Sequence, residues 1–281
     1  MAQHAPPPIE YESPELASAI LGSFEYVDGN IFLKHPSPFY DGCDCVEACA
    51  SATCGCAYAH GTAYTSDSLL IPTRPDVPIY ECNSRCSCDS SCANRVVQHG
   101  VRVRLQVFRS GPKGFGLRTL EKIQKGHFVA EYSGEIISAT EASKRWQERR
   151  KLGLSNYILR LREHSIQNGR VYRTTIDPTH RGSVARFINH SCEPCLEMFT
   201  VRVDQFVPSA ALFAKRDIEV GEELTFDYGG GVAAADAEEE SASDALVQEA
   251  GSVHADDDAA RIPCACGAAS CRGYLPYDPS L

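Results

Sequence analysis

The cysteines of this sequence constrain its fold more than any other feature. Of the 14 cysteines, nine crowd residues 43–92 and three more lie within residues 264–271. Several are separated by one residue, and neighbours this close rarely reach disulfide geometry with each other, although both can bind one metal ion. A secreted disulfide framework would show a similar count, but the chain starts without a basic segment followed by an apolar stretch. The spacing therefore indicates metal binding in a reducing compartment.

The nine-cysteine segment has too few large apolar residues to fold around a core of its own. Nine is an odd number, so complete disulfide pairing is impossible. Three tetrahedral zinc ions need twelve ligand bonds, and nine thiolates supply twelve if three of them bridge two ions. Each structural zinc can contribute on the order of 10 kcal/mol to folding. We expect three Zn²⁺ in a structural role, held by Cys43, Cys45, Cys49, Cys54, Cys56, Cys82, Cys86, Cys88 and Cys92.

The negative charge of the chain is concentrated in one segment. The formal net charge is −10, and residues 231–260 contain nine Asp and Glu but no Lys or Arg. This segment is rich in Gly and Ala and cannot bury enough apolar surface to offset the entropy of ordering, so we predict a disordered acidic insert at residues 231–262. No basic stripe at helical spacing appears, and we expect no direct sequence-specific DNA binding. No apolar run approaches the roughly 20 residues that cross a membrane.

The rest of the sequence is typical of short β-strands. Ser138 and Glu141 form a capping-box signature, which predicts a polar surface helix over Glu141–Leu152. Three prolines between the two runs of the nine-cysteine segment predict a surface loop there. One helix among many strands indicates a mainly β (α+β) architecture. Strands are predicted at Val101–Phe108, His127–Ile137, Tyr157–Arg162, Val171–Ile176, Phe199–Phe206, Ala211–Ala214 and Leu224–Tyr228.

Ordered motifs resemble the SET-domain histone-lysine N-methyltransferases of the suppressor-of-variegation clade. The nine-cysteine segment resembles their pre-SET module, and Cys264, Cys266 and Cys271 resemble their post-SET tail. The stretches that resemble the SET motifs are Lys113–Leu117, Glu131–Glu135, Arg186–Cys192 and Glu223–Tyr228. The resemblance covers residues 43–277 apart from the acidic insert, and the order of the motifs makes it far more specific than any one of them.

This resemblance implies the architecture. We expect a SET-domain β-clip fold of small sheets with a knot-like C-terminal segment. A triangular three-zinc pre-SET module and a post-SET tail clipped by a four-cysteine zinc site should flank it. The predicted division of the chain is an N-terminal arm (1–40), the pre-SET zinc cluster (41–94), the SET catalytic domain (95–230), the acidic insert (231–262) and the post-SET tail (263–277).

The resemblance also implies the chemistry, which is methyl transfer from S-adenosylmethionine to a lysine of histone H3. The lysine must arrive neutral, although its usual pKa is about 10.4. Tyr228 is expected beside the transferring methyl group, Tyr132 along the lysine channel, and Phe226 where it leaves room for di- to trimethylation. The residues expected to hold the cofactor are Lys113, Gly114, Phe115, Gly116, Tyr157, Arg186, Phe187, Asn189, His190 and Tyr274.

A second zinc site is implied at the tail. Cys192 can join Cys264, Cys266 and Cys271 in a tetrahedral all-thiolate site, which would place the tail over the cofactor. Cys195 departs from the pattern because the family usually carries Asn there. Losing the amide removes hydrogen bonds that brace the active-site loop, and the new thiol is three residues from a zinc ligand.

Two functions therefore stay open. The first is an active nuclear enzyme, monomeric and chromosome-bound, that acts on lysine 36 or lysine 9 of the histone H3 tail or nucleosome. The second is a catalytically weak or silent zinc scaffold that binds chromatin proteins, which Cys195 favours. A DNA-binding zinc protein is the weakest alternative, because no pattern of paired cysteines followed by paired histidines exists.

Overall fold

The computed structural model describes residues 9–33, 38–46, 49, 54–73, 77–164, 171–229 and 262–276. The predicted disordered insert lies outside these residues except for Ile262. Within this part of the chain the fold is mainly β, as predicted, and no helix is long and apolar enough to cross a membrane. The division of the chain at residues 40, 94, 230 and 262 stays a prediction.

Thirteen short strands and three helices form the described structure. The helices are α1 (Pro14–Leu21), α2 (Gly55–His60) and α3 (Ala139–Lys151). The strands are β1 (Ile9–Tyr11), β2 (Glu25–Tyr26), β3 (Ile79–Tyr80), β4 (Leu105–Arg109), β5 (Phe115–Thr119), β6 (Phe128–Tyr132), β7 (Gly134–Ile137), β8 (Leu159–His164), β9 (Val171–Gly182), β10 (Asn189–His190), β11 (Leu196–Arg202), β12 (Ser209–Ala214) and β13 (Thr225–Phe226).

The strands form four small sheets. One sheet has the order β1-β4-β5, and another has the order β3-β11-β12-β6. A third has the order β2-β9-β7, with β8 also paired to β9. The fourth is the two-residue parallel pair of β10 and β13. Because no sheet exceeds four strands, the core forms where their faces meet, around fully buried side chains such as Leu105, Leu117 and Leu212.

Residues 9–33 contribute more structure than the sequence indicated. Strand β1 pairs in parallel with β4 and is the third strand of sheet β1-β4-β5. Helix α1 begins after Ser13, whose side chain accepts a hydrogen bond from the backbone N–H of Leu16. Leu16 and Ile20, four residues apart, lie on one face of α1 and are buried in the main core.

The predicted surface helix is confirmed as α3, with ends within two residues of the expected ones. Ser138 caps it by accepting from the backbone N–H of Glu141. Only Ala142 is buried, which agrees with the polar sequence of this helix.

The prediction of a surface loop between the two cysteine runs is wrong in part. Helix α2 lies at its start, and Tyr64 and Ile79 are buried in a second core cluster against Phe213. The prolines suggested a loop, but Tyr64 before them and Ile79 after them pack into the core cluster of sheet β3-β11-β12-β6. Helices α1 and α2 also correct the expectation of a single helix.

A buried carboxylate ties the cysteine-rich segment to the sheets that follow. Glu81 is 2 % exposed. It accepts hydrogen bonds from the hydroxyl of Tyr64 at 2.8 Å, from the backbone N–H groups of Val96 and Val97 at 3.0 and 2.7 Å, and from the side chain of Gln98 at 2.8 Å. Charged acceptors make stronger hydrogen bonds than neutral ones, so this group fixes the chain as it leaves the cysteines.

Replacing this carboxylate should destabilise the protein severely. We expect Glu81→Ala to lower the free energy of unfolding by about 3 kcal/mol or more, because several buried donors lose their acceptor at once. Glu25→Ala is the matched control: its carboxylate is exposed and pairs only with Arg181, so its loss should cost less than about 1 kcal/mol. Denaturant unfolding of the zinc-loaded protein measures both, and equal stability losses would contradict the role assigned to Glu81.

Candidate active site

Three aromatic residues predicted from separate motifs come together in the structure. The rings of Tyr132 and Phe226 have centroids 5.9 Å apart, and those of Phe226 and Tyr228 are 4.8 Å apart. The hydroxyl of Tyr132 donates to the backbone oxygen of Tyr157 at 2.7 Å, and that of Tyr228 donates to the backbone oxygen of Ile188 at 3.0 Å. Both phenols are held by main chain, and each retains oxygen lone pairs that can accept a hydrogen bond.

Burial keeps these two phenols uncharged. Desolvation raises the pKa of Tyr132 well above its usual value, and it also raises the pKa of Tyr228. Tyr228 still has 37 % of its surface exposed. Its hydroxyl group nevertheless donates to the buried Ile188. We infer that the exposed surface of Tyr228 belongs to its ring and not to the hydroxyl group. The pair therefore offers neutral, fixed oxygens and cannot serve as phenolate bases near neutral pH.

The short parallel pair of β10 and β13 creates this arrangement. In its register Asn189 is opposite Thr225 and His190 is opposite Phe226. The imidazole of His190 is buried, and its Nδ1 accepts from the backbone N–H of Tyr228 at 3.2 Å. Burial lowers the pKa of His190, which agrees with a neutral ring that accepts at Nδ1. His190 thus holds the backbone of Tyr228, whose ring packs against Phe226.

Asn189 and Lys113, predicted to hold the cofactor, both contact a residue that was given no role. The side-chain amide of Asn189 donates to Glu223 Oε1 at 2.9 Å and to the backbone oxygen of Phe115 at 3.0 Å. Lys113 forms an ion pair with Glu223 Oε2, and Ser110 donates to Oε1 at 2.8 Å. Burial by itself would raise the pKa of the Glu223 carboxyl group. The hydrogen bonds from these three donors outweigh that effect, and the pKa is lowered.

This cluster also explains the glycines beside it. A Cβ atom at Gly116 would lie 2.9 Å from Glu223 Oε1 and 2.9 Å from the ring of Phe108, which real side chains do not tolerate. Gly114 has φ of 80°, in the left-handed region that favours glycine. The missing side chain at Gly116 therefore makes room for Glu223 and Phe108, whereas the backbone of Gly114 is open on its Cβ side.

Arg186 lies among aromatic rings. Its guanidinium is 4.3 Å from the ring centroid of Tyr157 and 4.5 Å from that of Phe24, and Phe187 is 5.2 Å away. One Nη donates to the backbone oxygen of Thr179 at 2.9 Å. Its Nε is buried and finds no hydrogen-bond acceptor among the described residues. This N–H is therefore free to donate to a water or a ligand.

The nine cysteines expected to bind metal converge. The sulfur atoms of Cys43, Cys45, Cys49 and Cys54 all lie within 4.8 Å of one another, and so do those of Cys49, Cys82, Cys88 and Cys92. Cys56 and Cys86 each fall in such a group with Cys43 and Cys82, and their own sulfurs are 3.6 Å apart. Three four-sulfur groups can thus be drawn in which Cys43, Cys49 and Cys82 are each shared by two. The donor set and spacing are consistent with zinc sites.

The fourth predicted group also forms. The sulfurs of Cys192, Cys264, Cys266 and Cys271 lie within 4.8 Å of one another. Two polar contacts hold the tail beside them. Arg272 donates to Asp227 Oδ1 at 2.7 Å, and Ser270 donates to Glu193 Oε1 through its N–H at 3.0 Å and its hydroxyl at 2.6 Å. Tyr274 lies on this tail with 49 % of its surface exposed.

Cys195 lies outside the four-sulfur group. It is buried, and its sulfur accepts from the backbone N–H of Thr225 at 3.3 Å, while its own N–H donates to the hydroxyl of Thr225. Burial raises the pKa of this thiol, so it stays protonated. The thiol braces the loop against β13 where we expected the bracing to be lost.

Sequence reasoning missed Glu223, Phe24 and Arg272. Glu223 opens one of the motifs, but only its contacts with Lys113 and Asn189 show what it does. Arg272 directly follows a predicted zinc ligand, a position that could have drawn attention to it. Phe24 follows α1 in a segment without a recognisable pattern, and no signal in the sequence indicates it.

Comparisons with known proteins agree with this geometry. A family model described as the SET domain matches residues 114–229, and one described as the Pre-SET motif matches residues 3–95. The human histone-lysine N-methyltransferase SETMAR is 43 % identical over 247 residues, which are 86 % of this chain and 34 % of that protein. The Bos taurus SETMAR is 42 % identical over 86 % of this chain and 76 % of its own length. The chain thus spans about a third of the human relative.

Solved structures give the same result. The methyltransferase domain of human SETMAR has a TM-score of 0.78 at 37 % identity, over 99 % of this chain and 97 % of that one. Arabidopsis thaliana SUVH6 in complex with SAM has a TM-score of 0.72 at 29 % identity, over 98 % of this chain and 54 % of that one. KRYPTONITE in complex with mCHH DNA, H3(1-15) peptide and SAH has a TM-score of 0.71 at 30 % identity, over 96 % and 51 %.

Proposed function

Because the chain belongs to the histone-lysine N-methyltransferases that join a SET domain to a pre-SET motif, we propose that it methylates a lysine of the histone H3 tail with S-adenosylmethionine as donor. The observation that carries this proposal is the convergence of Tyr132, Phe226 and Tyr228 beside the β10–β13 pair. Solved relatives bind SAM, or SAH with an H3 peptide. The tail lysine would be lysine 36 or lysine 9.

The residues present fit the cofactor. S-adenosylmethionine supplies an electrophilic methyl group and a positive sulfonium when bound. The buried Nε of Arg186 is an unsatisfied donor suited to a carboxylate, and the backbone at Gly114, where a Cβ atom would meet nothing within 4 Å, allows close approach of a ligand. We propose that the cofactor is held by Lys113, Gly114, Phe115, Gly116, Tyr157, Arg186, Phe187, Asn189, His190 and Tyr274.

The neutral tyrosines suit the substrate. A lysine ammonium that enters a narrow apolar channel is desolvated, which lowers its pKa and favours the neutral, nucleophilic amine. Tyr132 and Tyr228 keep oxygen lone pairs that can accept from the amine and orient it. Because both hydroxyls are fixed by backbone oxygens, the amine would be aligned with little loss of freedom at the moment of reaction.

Removing one hydroxyl tests this role. We expect Tyr228→Phe to lower kcat by about 100-fold, because the amine loses an orienting acceptor, while Tyr26→Phe, outside the pocket, leaves kcat unchanged. The assay uses purified protein, labelled cofactor, and H3 peptides or nucleosomes, and mass spectrometry locates the label. Cofactor binding without transfer to any substrate would defeat the proposal and support the silent scaffold instead.

We also propose that the product is di- to trimethyllysine. Phe226 is buried between the two tyrosines and adds no hydroxyl to the space that a methylated amine would occupy. A tyrosine at this position would add an oxygen and recruit an ordered water, and both would crowd an amine that already bears methyl groups.

We expect Phe226→Tyr to shift the product toward monomethyllysine, as read from mass spectra of H3 peptide at completion. Phe226→Leu is the matched control, because it keeps the site apolar and should retain the higher states. A wild-type reaction that stops at one methyl group would contradict this assignment.

We propose four zinc ions, three in the nine-cysteine segment and one in the group that contains Cys192. Cys43, Cys49 and Cys82 are the shared sulfurs in the groupings above and would bridge. Twelve bonds from nine thiolates would satisfy three tetrahedral ions. The zinc ion in the group that contains Cys192 would hold the tail against the loop of Asn189 and His190.

Elemental analysis of the purified protein should give four zinc ions per chain. We expect Cys271→Ser to reduce this to three, with reduced activity because the tail is released. Cys195→Ser is the control and should retain four, since its sulfur faces β13. Loss of zinc from the Cys195 variant would show that this thiol is a ligand after all.

We further propose that the protein acts as a monomer on nuclear chromatin, where its histone substrate lies. Two of the relatives are histone-lysine N-methyltransferases, and histones are found in chromatin.

A further inference from the structure

Positive charge is segregated in one part of this acidic chain. Residues 138–176 contain nine Lys and Arg but only three Asp and Glu, a net charge of +6 within a chain whose net charge is −10. This stretch covers α3, β8 and the first half of β9. The positive charge is spread over one helix and two strands, so no regular spacing along the sequence indicates it.

The basic residues of α3 fall into two sets. Arg145 points inward and is neutralised by Glu135, Glu141 and Asp177 at 2.6, 2.8 and 2.8 Å. Arg149 donates to the backbone oxygen of Ser155 and lies 5.5 Å from the ring of Tyr157. These inner residues join the helix to the site and are not available to a partner.

The outer set is exposed. Lys144 and Lys151 are seven residues apart, so they lie on one face of the helix, and Arg150 flanks them over the ring of Trp146 at 5.2 Å. We call Lys144, Arg150 and Lys151 the basic α3 face. None of the three has an ion pair within the described part of the chain. Glu141 and Glu148 are the acidic residues of this helix, and Glu141 pairs with Arg145. Cations at a helix C-terminus are common, but Lys144 lies in the middle of α3 and needs another reason.

The basic α3 face is connected to the candidate active site. Arg149, one residue before Arg150, contacts Tyr157, whose backbone oxygen holds the hydroxyl of Tyr132. The basic α3 face is therefore joined to the site through Arg149 and Tyr157. A histone tail leaves the nucleosome next to DNA, so a tail lysine held at Tyr132 and Tyr228 would bring DNA close to this helix.

We propose that the basic α3 face binds the phosphate backbone of nucleosomal DNA, without reading its sequence, while the H3 tail occupies the site. Phosphate contacts of exposed Lys and Arg give affinity that is independent of sequence and sensitive to salt. The inference rests on the proposed function only for the direction from which DNA arrives. DNA binding itself is measured without cofactor or methyl transfer, so the two proposals fail separately.

The test measures binding of a 30-base-pair duplex of arbitrary sequence by fluorescence anisotropy over a series of salt concentrations. We expect K144E/R150E/K151E to weaken binding about tenfold or more at low salt and to reduce the log–log salt slope by roughly 2 to 3, since each phosphate contact contributes about 0.9. Glu148→Lys should strengthen binding. The matched control, K122E/K125E/K215E, makes the same charge change at three exposed lysines elsewhere and should have a smaller effect on both quantities.

Methylation assays add a second readout. The K144E/R150E/K151E variant should methylate a free H3 peptide as the wild type does and lose about tenfold on nucleosomes. Equal effects of the two triple variants on DNA binding would overturn the proposal. So would loss of methylation on nucleosomes with unchanged duplex binding, because the partner of the basic α3 face would then be an acidic protein surface and not DNA.

Discussion

The two-residue parallel pairing of β10 with β13 is the contact on which the candidate active site depends. It joins residues 189–190 to residues 225–226 and places the backbone of Tyr228 against the imidazole of His190. Without it Phe226 and Tyr228 would have no fixed relation to Tyr132. A pairing this short cannot persist alone, so its stability comes from the residues around it. Glu223 binds Asn189 on one side, and the thiol of Cys195 accepts from Thr225 on the other. The thiol at position 195 therefore braces strand β13.

The cysteine-rich segment supports this arrangement from a distance. Its sulfurs fall into groups that have members in common, and it passes into the sheets through the buried carboxylate of Glu81. Tyr64 and Ile79 extend the contact into the second core cluster. Metal binding and apolar packing therefore act together here, and the segment is more than an appendage that carries zinc.

The sequence predicted well what depends on local patterns, and poorly what depends on which segments meet. Cysteine spacing, the capping residue Ser138 and the ordered motifs identified the metal groups, α3, the mainly β architecture and the residues that converge around Phe226. Helix α1 was missed because eight residues with two buried positions give a weak periodic signal. Glu223 and Phe24 were missed because their roles come from contacts with Asn189 and Arg186, which are distant in sequence. The basic α3 face was missed because its charge is visible only after the inner arginines are paired off in three dimensions.

The tail contacts bear on how this protein tolerates insertions. Gly229 lies against Pro276. The backbone N–H of Leu275 donates a hydrogen bond to the backbone oxygen of Ile262, and the side chain of Arg272 donates one to Asp227. Both boundaries of the intervening segment are therefore anchored by residues that do not belong to it. Because these contacts join residues 227–229 directly to residues 262–276, a change in the number of residues between the two anchors would leave the docking of the tail unchanged.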